Sequence, residues 1–281
     1  MFWNINYSDP PNSKRKFSTS PNVFLLFSLI TILLAFVFCP LFLIAVDQNH
    51  FFFVQISDTH FGVKDHNQLV KTIADKINNL PMPVACVVHT GDIFADNILN
   101  KEVLSSATSI LSRIKVPLLI LPGNHDLTKD SLKLSLNVYT NKIGKLAEER
   151  EFNGVKFITL CTEPLSSGLK IKNYDPVEWL EKTLKKTENK PAIIFVHVPP
   201  TPDFYKNEMH ESWQKEEYTK FKDLLTKYNN IKAIICGHFH RDELHWLENI
   251  PIFVSPPIAR FYGRQPSFRI YEYNNGKLSY Y

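Results

Sequence analysis

The sequence predicts an α/β domain preceded by an apolar segment near the amino terminus. Apolar runs of strand length alternate with amphipathic helical patterns between residues 51 and 236, an order typical of α/β proteins. A chain of 281 residues can also bury a substantial core without disulfides. We therefore expect a disordered tail at residues 1–22, a transmembrane helix at residues 23–46 and one globular domain at residues 47–281.

The apolar segment has two possible interpretations. Residues 23–46 carry no charge, and their number exceeds the roughly 20 residues that a helix needs to cross a bilayer. A secretory signal peptide is the alternative, because Lys14, Arg15 and Lys16 shortly precede the segment. The segment is longer than the roughly 7–15 apolar residues of a signal peptide, and residues 43–45 make a poor cleavage site. We expect an uncleaved span.

The charges beside this segment predict its orientation. Three basic residues precede it, whereas the first lysine after it is Lys64. Positive charge favours the cytoplasmic side, so we expect a single-pass membrane protein with a cytoplasmic amino terminus and the domain on the outer side. Residues 47–50 alone would join the span to the first strand, and four extended residues reach only about 14 Å. The domain is therefore expected close to the membrane.

The elements of the domain follow from periodicity and from helix-start signals. The helix after Asp175 has the strongest signal, because an N-cap aspartate directly precedes Pro176. Further helices are expected at residues 66–80, at residues 103–114 and before Tyr228. Strands are predicted at residues 51–57, 84–88, 116–121, 192–196 and 231–236, and shorter ones at residues 245–247, 252–254, 268–273 and 277–281.

Composition argues against two kinds of site. The 32 lysines and arginines nearly balance 28 acidic residues, and the domain has no basic run, so duplex nucleic acid is not expected as a partner. Cys86, Cys161 and Cys236 lie in apolar strand-like runs, and Cys39 lies in the apolar segment. They are expected to be buried thiols and not a disulfide framework or a thiolate metal site.

Five short motifs carry the residues that could do chemistry, and four of them directly follow a predicted strand. Because ligands of open α/β sheets bind at the carboxyl ends of strands, we expect the motifs to meet in one crevice. In an extended chain, side chains two residues apart point the same way, so two of the motifs should each form a two-pronged clamp. The motifs are Asp58-Thr59-His60, Gly91-Asp92, Gly123-Asn124-His125-Asp126, the lone His197 and Gly237-His238-Phe239-His240.

The chemistry of these side chains predicts a metal site. Imidazole, carboxylate and amide groups without a thiolate suit Mn, Fe or Zn better than Ca or Mg. Any one motif could arise by chance, and residues 123–126 could form only a turn. All five in this order make chance a poor explanation.

The five motifs resemble the signature of the calcineurin-like metallophosphoesterase superfamily, over about residues 51–273. The closing Gly-His-x-His motif is similar to the branch that contains class III cyclic-nucleotide phosphodiesterases. The resemblance implies a four-layer αββα sandwich that holds two divalent or trivalent metal ions, with Asp92 bridging them. It implies one ion bound by Asp58, His60, Asp92 and His240, and a second ion bound by Asp92, Asn124, His197 and His238.

The same resemblance implies a mechanism and catalytic residues. Two ions would lower the pKa of a water between them, and the resulting hydroxide would attack the phosphorus of a phosphodiester or pyrophosphate. His125 is implied to stabilise or protonate the leaving group, with Asp126 orienting its imidazole. The other histidines are expected to be structural or exposed, and four further charged residues are possible substrate contacts: Arg241, Asp242, Arg260 and Arg264.

The substrate stays open between several classes. A nucleotide or another soluble phosphodiester is one, and a lipid-linked nucleotide such as UDP-diacylglucosamine is another, since the domain is expected beside a membrane. Family members that cleave the latter have arginine where this chain has His125. A nuclease is disfavoured by the near-neutral charge, and a non-catalytic binding protein is disfavoured by the complete ligand set.

Overall fold

The computed structural model describes residues 50–201, 213–260 and 265–281. The predicted tail and span at residues 1–46 lie outside these residues, as do His210 and Arg264. In the described part of the chain, no helix combines the length and the apolar character that crossing a bilayer requires.

The described residues include eleven strands, six α-helices and a 3-10 turn at Lys129–Ser131. The helices and strands predicted for the domain are all present, with ends shifted by no more than three residues. In chain order the elements are β1 (His50–Ile56), α1 (His66–Asn78), β2 (Val84–His89), α2 (Lys101–Leu111), β3 (Leu118–Ile120), α3 (Leu132–Lys142), β4 (Ala147–Phe152), β5 (Val155–Leu160), α4 (Glu163–Ser166), α5 (Pro176–Lys185), β6 (Ala192–Phe195), α6 (Lys215–Leu225), β7 (Ile231–Cys236), β8 (Glu243–Leu247), β9 (Ile250–Val254), β10 (Arg269–Asn274) and β11 (Lys277–Tyr280).

The strands form two sheets. The first has the order β11-β10-β1-β2-β3, and the second has the order β4-β5-β6-β7-β9-β8. Strands β1, β2 and β3 are parallel, as are β5, β6, β7 and β9. The strands that lead into the motifs therefore belong to two sheets. The one crevice expected at the carboxyl ends of a sheet is corrected to one at the carboxyl ends of strands from both sheets.

Three apolar clusters hold these layers together. Between the sheets, aromatic rings dominate, and Phe53 stacks on Tyr271 and meets Phe157 edge to face with ring centroids 4.9 Å apart in both pairs. The outer face of the first sheet packs against α1, α2 and α3, and that of the second sheet packs against α5 and α6. The layers thus run helix, sheet, sheet, helix.

The local signals at Asp175 are confirmed. Its side chain accepts hydrogen bonds from the backbone N–H groups of Val177 and Glu178, at 2.9 and 3.0 Å, and Pro176 is the first residue of α5. The sequence did not predict α3, which buries only Ser135 and Tyr139 and so lacks an apolar stripe. It also did not predict β4, a polar edge strand with no buried residue.

Candidate dinuclear metal centre

The loops that carry the five motifs meet where strands from both sheets end. The backbone N–H of Gly237 donates to the carbonyl of His197 at 3.1 Å, which joins two motifs of the second sheet. The N–H of His238 donates to Oδ2 of Asp58 at 3.3 Å, which joins the second sheet to the first. The predicted convergence of the motifs is therefore present, but it requires both sheets.

The side chains form two groups, and within each group the ligand atoms all lie within 4.8 Å of one another. One group is Asp58, His60 and His240, and the other is Asp92, His197 and His238. Five of the six residues are buried, and His240 is partly exposed. The structure thus brings together residues from each of the two ligand sets that the family resemblance implied, and Asn124 lies beside His197 of the second group.

The backbone reaches this arrangement through left-handed turns and not through extended strand ends. Asp58 and His60 have φ of 54° and 43°, and His238 and His240 have φ of 66° and 52°. The predicted clamp of His238 with His240 is therefore wrong, because one ring joins each group. Positive φ is uncommon outside glycine, and such strain is concentrated at functional sites.

Asp92 belongs to the second group and also approaches the first. Its Oδ2 is 3.1 Å from Nε2 of His197 and 3.8 Å from Nε2 of His60, while its Oδ1 accepts the backbone N–H of His125 at 3.0 Å. Burial alone would raise the pKa of this carboxyl, but His197 and His60 outweigh burial and hold it well below its usual range. Asp92 is the residue placed to share two ions.

His197 is fixed for ligation through one nitrogen. Its Nδ1–H donates to the carbonyl of Thr90 at 2.8 Å, so Nε2 faces Asp92 and the amide oxygen of Asn124, each 3.1 Å away. A backbone carbonyl on the far nitrogen is the usual support for a metal-binding histidine. Burial would lower the pKa of His197, but Asp92 raises it to about 10. In His60 burial prevails over the carboxylates and lowers the pKa to about 4.

Two glycines are required by close approach at the centre. A Cβ on Gly123 would collide with Oδ1 of Asp92, and a Cβ on Gly237 would collide with the hydroxyl of Ser57 and with Asp58. The backbone thus packs directly against the candidate ligands. The donor set of imidazole, carboxylate and amide, held this closely, fits a pair of first-row transition ions.

The structure corrects the predicted role of Asp126. Its carboxylate is fully buried and accepts backbone N–H groups from Ile93, Phe94 and Gly123 at 3.2, 2.8 and 2.8 Å. It therefore shapes the loops around the centre. The imidazole of His125 instead has its Nδ1 2.9 Å from Oδ2 of Asp96, a residue that the sequence analysis missed. The available signal was its position four residues after Asp92.

His125 lies at the edge of the centre with 40% of its side chain exposed, and its ring centroid is 5.2 Å from that of His60. Burial works to lower the pKa of His125, but the carboxylates of Asp92 and Asp96 outweigh it and raise the pKa. A partly exposed imidazole with a raised pKa beside the ligands is placed to give a proton to a leaving group.

The other described histidines have structural contacts, as expected. His89 is buried, which lowers its pKa to about 3, and its ring lies between Thr59 at 3.0 Å and the N–H of Gly91 at 3.2 Å. The remaining three contact carboxylates or a backbone carbonyl: His50, His66 and His245. Of the possible substrate contacts, Arg241 pairs with Glu243, and Asp242 pairs with Arg269, whereas Arg260 is exposed.

Comparison with known proteins agrees with this geometry. The sequence model of the family described as "Calcineurin-like phosphoesterase" matches residues 53–242. The chain belongs to the calcineurin-like phosphoesterase family. This family is a superfamily of hydrolases that use a dinuclear metal centre, and the two ligand groups lie inside the matched residues.

Individual relatives of this phosphoesterase carry phosphodiesterase names. "Probable glycerophosphodiester phosphodiesterase GpdQ" from Arcobacter nitrofigilis is 30% identical over 207 residues, which cover 67% of this chain and 71% of the relative. "Probable cyclic nucleotide phosphodiesterase" from Fibrobacter succinogenes is 28% identical over 215 residues, covering 72% and 77%. Among solved structures, a dimetal phosphatase from Danio rerio matches the fold with a TM-score of 0.62 at 14% identity, covering 80% of this chain and 93% of that one.

Proposed function

We propose that this chain is a metal-dependent phosphodiesterase whose reaction takes place at the centre around Asp92. The observation that carries the proposal is the pair of ligand groups, three residues each, that meet at this one carboxylate. Metal identity is proposed as Mn, Fe or Zn, because the ligands combine imidazole with carboxylate and lack a thiolate. The names of the relatives support a diester as the substrate.

The residues of the centre have different proposed roles in hydrolysis. Two bound ions would supply Lewis acidity toward the phosphate oxygens and a lowered pKa for an attacking water. Asp92 contacts a histidine of each ligand group, and Asn124 adds a neutral oxygen beside His197. Nδ1 of His125 contacts the carboxylate of Asp96. The other ring nitrogen, Nε2, is therefore the atom that would give a proton to the leaving oxygen.

A water-soluble diester is the substrate class we favour. The names of two relatives, a glycerophosphodiester phosphodiesterase and a cyclic nucleotide phosphodiesterase, support it. A lipid-linked nucleotide pyrophosphate is the second candidate, and His125 argues against it, because family members with that activity have arginine at this position. Cyclic nucleotides and glycerophosphodiesters both fit the soluble class.

A substrate panel tests the proposed function. The purified chain in detergent should hydrolyse a generic aryl phosphodiester, and among natural substrates a cyclic nucleotide or a glycerophosphodiester, faster than the matching monoester. Chelation should abolish this activity, and Mn²⁺, Fe²⁺ or Zn²⁺ should restore it, because the ions supply the transition-state charge stabilisation. Hydrolysis of monoesters alone would overturn the diesterase assignment, and preference for the nucleotide–lipid pyrophosphate would favour the second candidate.

We further propose that residues 23–46 anchor the chain as a single span, with the amino terminus in the cytoplasm and the catalytic domain on the outer side. The full chain is expected to stay in the membrane pellet after an alkaline carbonate wash, and a variant that starts at residue 47 is expected in the supernatant. Protease added to intact cells should digest the domain. Extraction of the full chain by carbonate would contradict the span, and protection of the domain would contradict the orientation.

A further inference from the structure

A glutamine interrupts the apolar space between the sheets. On β1, Phe51 and Phe53 face the second sheet and pack in the aromatic cluster, and Gln55 continues the same face. Gln55 is fully buried, so its amide must find partners inside the protein. It stands two residues before the turn that begins with Ser57 and Asp58.

The amide of Gln55 connects both sheets beneath the metal centre. Its Nε2 donates to the hydroxyl of Thr90 and to the carbonyl of Cys236, both at 2.9 Å. Thr90 directly follows β2 of the first sheet, and its carbonyl accepts from Nδ1 of His197. Cys236 ends β7 of the second sheet, directly before the Gly-His-x-His motif.

A backbone carbonyl fixes the direction of these hydrogen bonds, and a buried arginine begins them. The Cys236 carbonyl can only accept, so it faces Nε2 of Gln55, and Oε1 of Gln55 accepts from the Tyr271 hydroxyl at 3.0 Å. Arg269 is 2% exposed, its Nη1 donates to the hydroxyl of Tyr271 at 3.3 Å, and its Nη2 pairs with Asp242. Gln55 then has only its NH₂ group for Thr90 and Cys236.

The series of donors therefore runs from Arg269 to Ser57 without a break. The Thr90 hydroxyl, having accepted from Gln55, donates to the hydroxyl of Ser57 at 2.7 Å. Buried hydrogen bonds aligned in one direction polarise one another and strengthen the whole series. Tyr280 closes the outer end, since its hydroxyl donates to Asp242 at 3.2 Å and its ring lies 4.2 Å from the Arg269 guanidinium carbon.

Four residues in this series or in contact with it lie within two positions of a candidate metal ligand. Ser57 precedes Asp58, Thr90 stands two residues before Asp92, Cys236 stands two residues before His238, and Asp242 stands two residues after His240. We propose that the series Arg269–Tyr271–Gln55–Thr90–Ser57 positions the ligand loops of both sheets, with Gln55 and Tyr271 as positioning residues of the metal centre. This inference rests on the proposed function, because it assumes that the ligand groups bind ions.

The variant Tyr271→Phe tests the inference. It removes one hydroxyl, so Oε1 of Gln55 loses the hydrogen bond that it accepts from Tyr271, and the amide becomes free to rotate. Binding of Mn²⁺ to the chelator-stripped full chain, measured by calorimetry, should weaken by roughly 10-fold or more, the range typical of outer-shell partners of metal ligands. The KM for the diester should change less than the metal affinity, because the series does not reach the exposed edge where His125 lies.

The chain offers a matched control. Tyr273→Phe removes the same hydroxyl from the same buried face of β10, two residues further from the centre and outside the series. It should leave Mn²⁺ affinity unchanged. Gln55→Glu is the second variant, since a carboxylate of similar size accepts from Tyr271 but cannot donate to Thr90 or Cys236, and it should also weaken binding.

The outcomes separate the inference from the proposed function. Unchanged Mn²⁺ affinity in the folded Tyr271→Phe and Gln55→Glu variants would overturn the inference and leave the proposed function intact. An equal loss in Tyr273→Phe would also overturn it, because the effect would then come from general loosening of the core. Failure of the unmodified chain to bind Mn²⁺ or another transition ion would overturn both.

Discussion

Replacing Asp92 with asparagine is expected to abolish hydrolysis and to weaken the binding of both metal ions. Asparagine keeps the size of the side chain and can still accept the backbone N–H of His125, but it removes the negative charge between His60 and His197. Losing a shared ligand should cost several kcal/mol of transition-state stabilisation, and about 4 kcal/mol corresponds to a roughly 1,000-fold lower rate. The measurements are kcat for a phosphodiester and metal content by mass spectrometry.

Asp75→Asn is the control for this variant. Asp75 is a partly exposed aspartate on α1 that pairs with Arg113 at 2.6 Å and belongs to none of the five motifs. Its amide variant should keep full activity and full metal content. A purified Asp92→Asn protein with wild-type activity would refute the assignment of the centre.

Replacing His125 with alanine is expected to leave the metal ions bound while the rate falls. His125 contributes its backbone N–H to Asp92, and that contact survives the substitution, whereas the imidazole that would protonate the leaving group is lost. General acid catalysis is typically worth about 10²–10⁴-fold, so kcat should fall by that range. The loss should be smaller for a substrate with an acidic phenol as leaving group, because such a group needs less protonation.

The companion variants separate His125 from its two neighbouring aspartates. Asp96→Asn should lower kcat by less than His125→Ala, because it removes only the carboxylate that holds Nδ1 of His125. Asp126→Asn should instead lower the free energy of unfolding, since Asp126 accepts three backbone N–H groups and does not pair with the imidazole. Metal loss in His125→Ala, or a larger kcat effect from Asp126 than from Asp96 at equal stability, would contradict this division of roles.

Most of the helices and strands could be predicted because their signals are local. Asp175 caps α5 through its own neighbours, and the apolar spacing in residues 66–80 marks one face of α1. Two of the elements that were missed, α3 and β4, lack such a signal. β4 reads as a polar run because it is an edge strand, and it exists only through its pairing with β5.

The composition of the centre was determined by the sequence alone. The five motifs named every member of the two ligand groups, because the chemistry of a metal ligand belongs to the residue type and the strand ends are marked by apolar runs. The spacing of His238 and His240 suggested one clamp, and it was the family resemblance that implied their separation into different groups, as the structure has them. Tertiary structure decided further relations: it paired His125 with Asp96 instead of Asp126 and brought Gln55 under loops from both sheets. Those relations depend on left-handed turns and on the packing of one sheet against the other, and no spacing along the chain encodes the distance between two sheets.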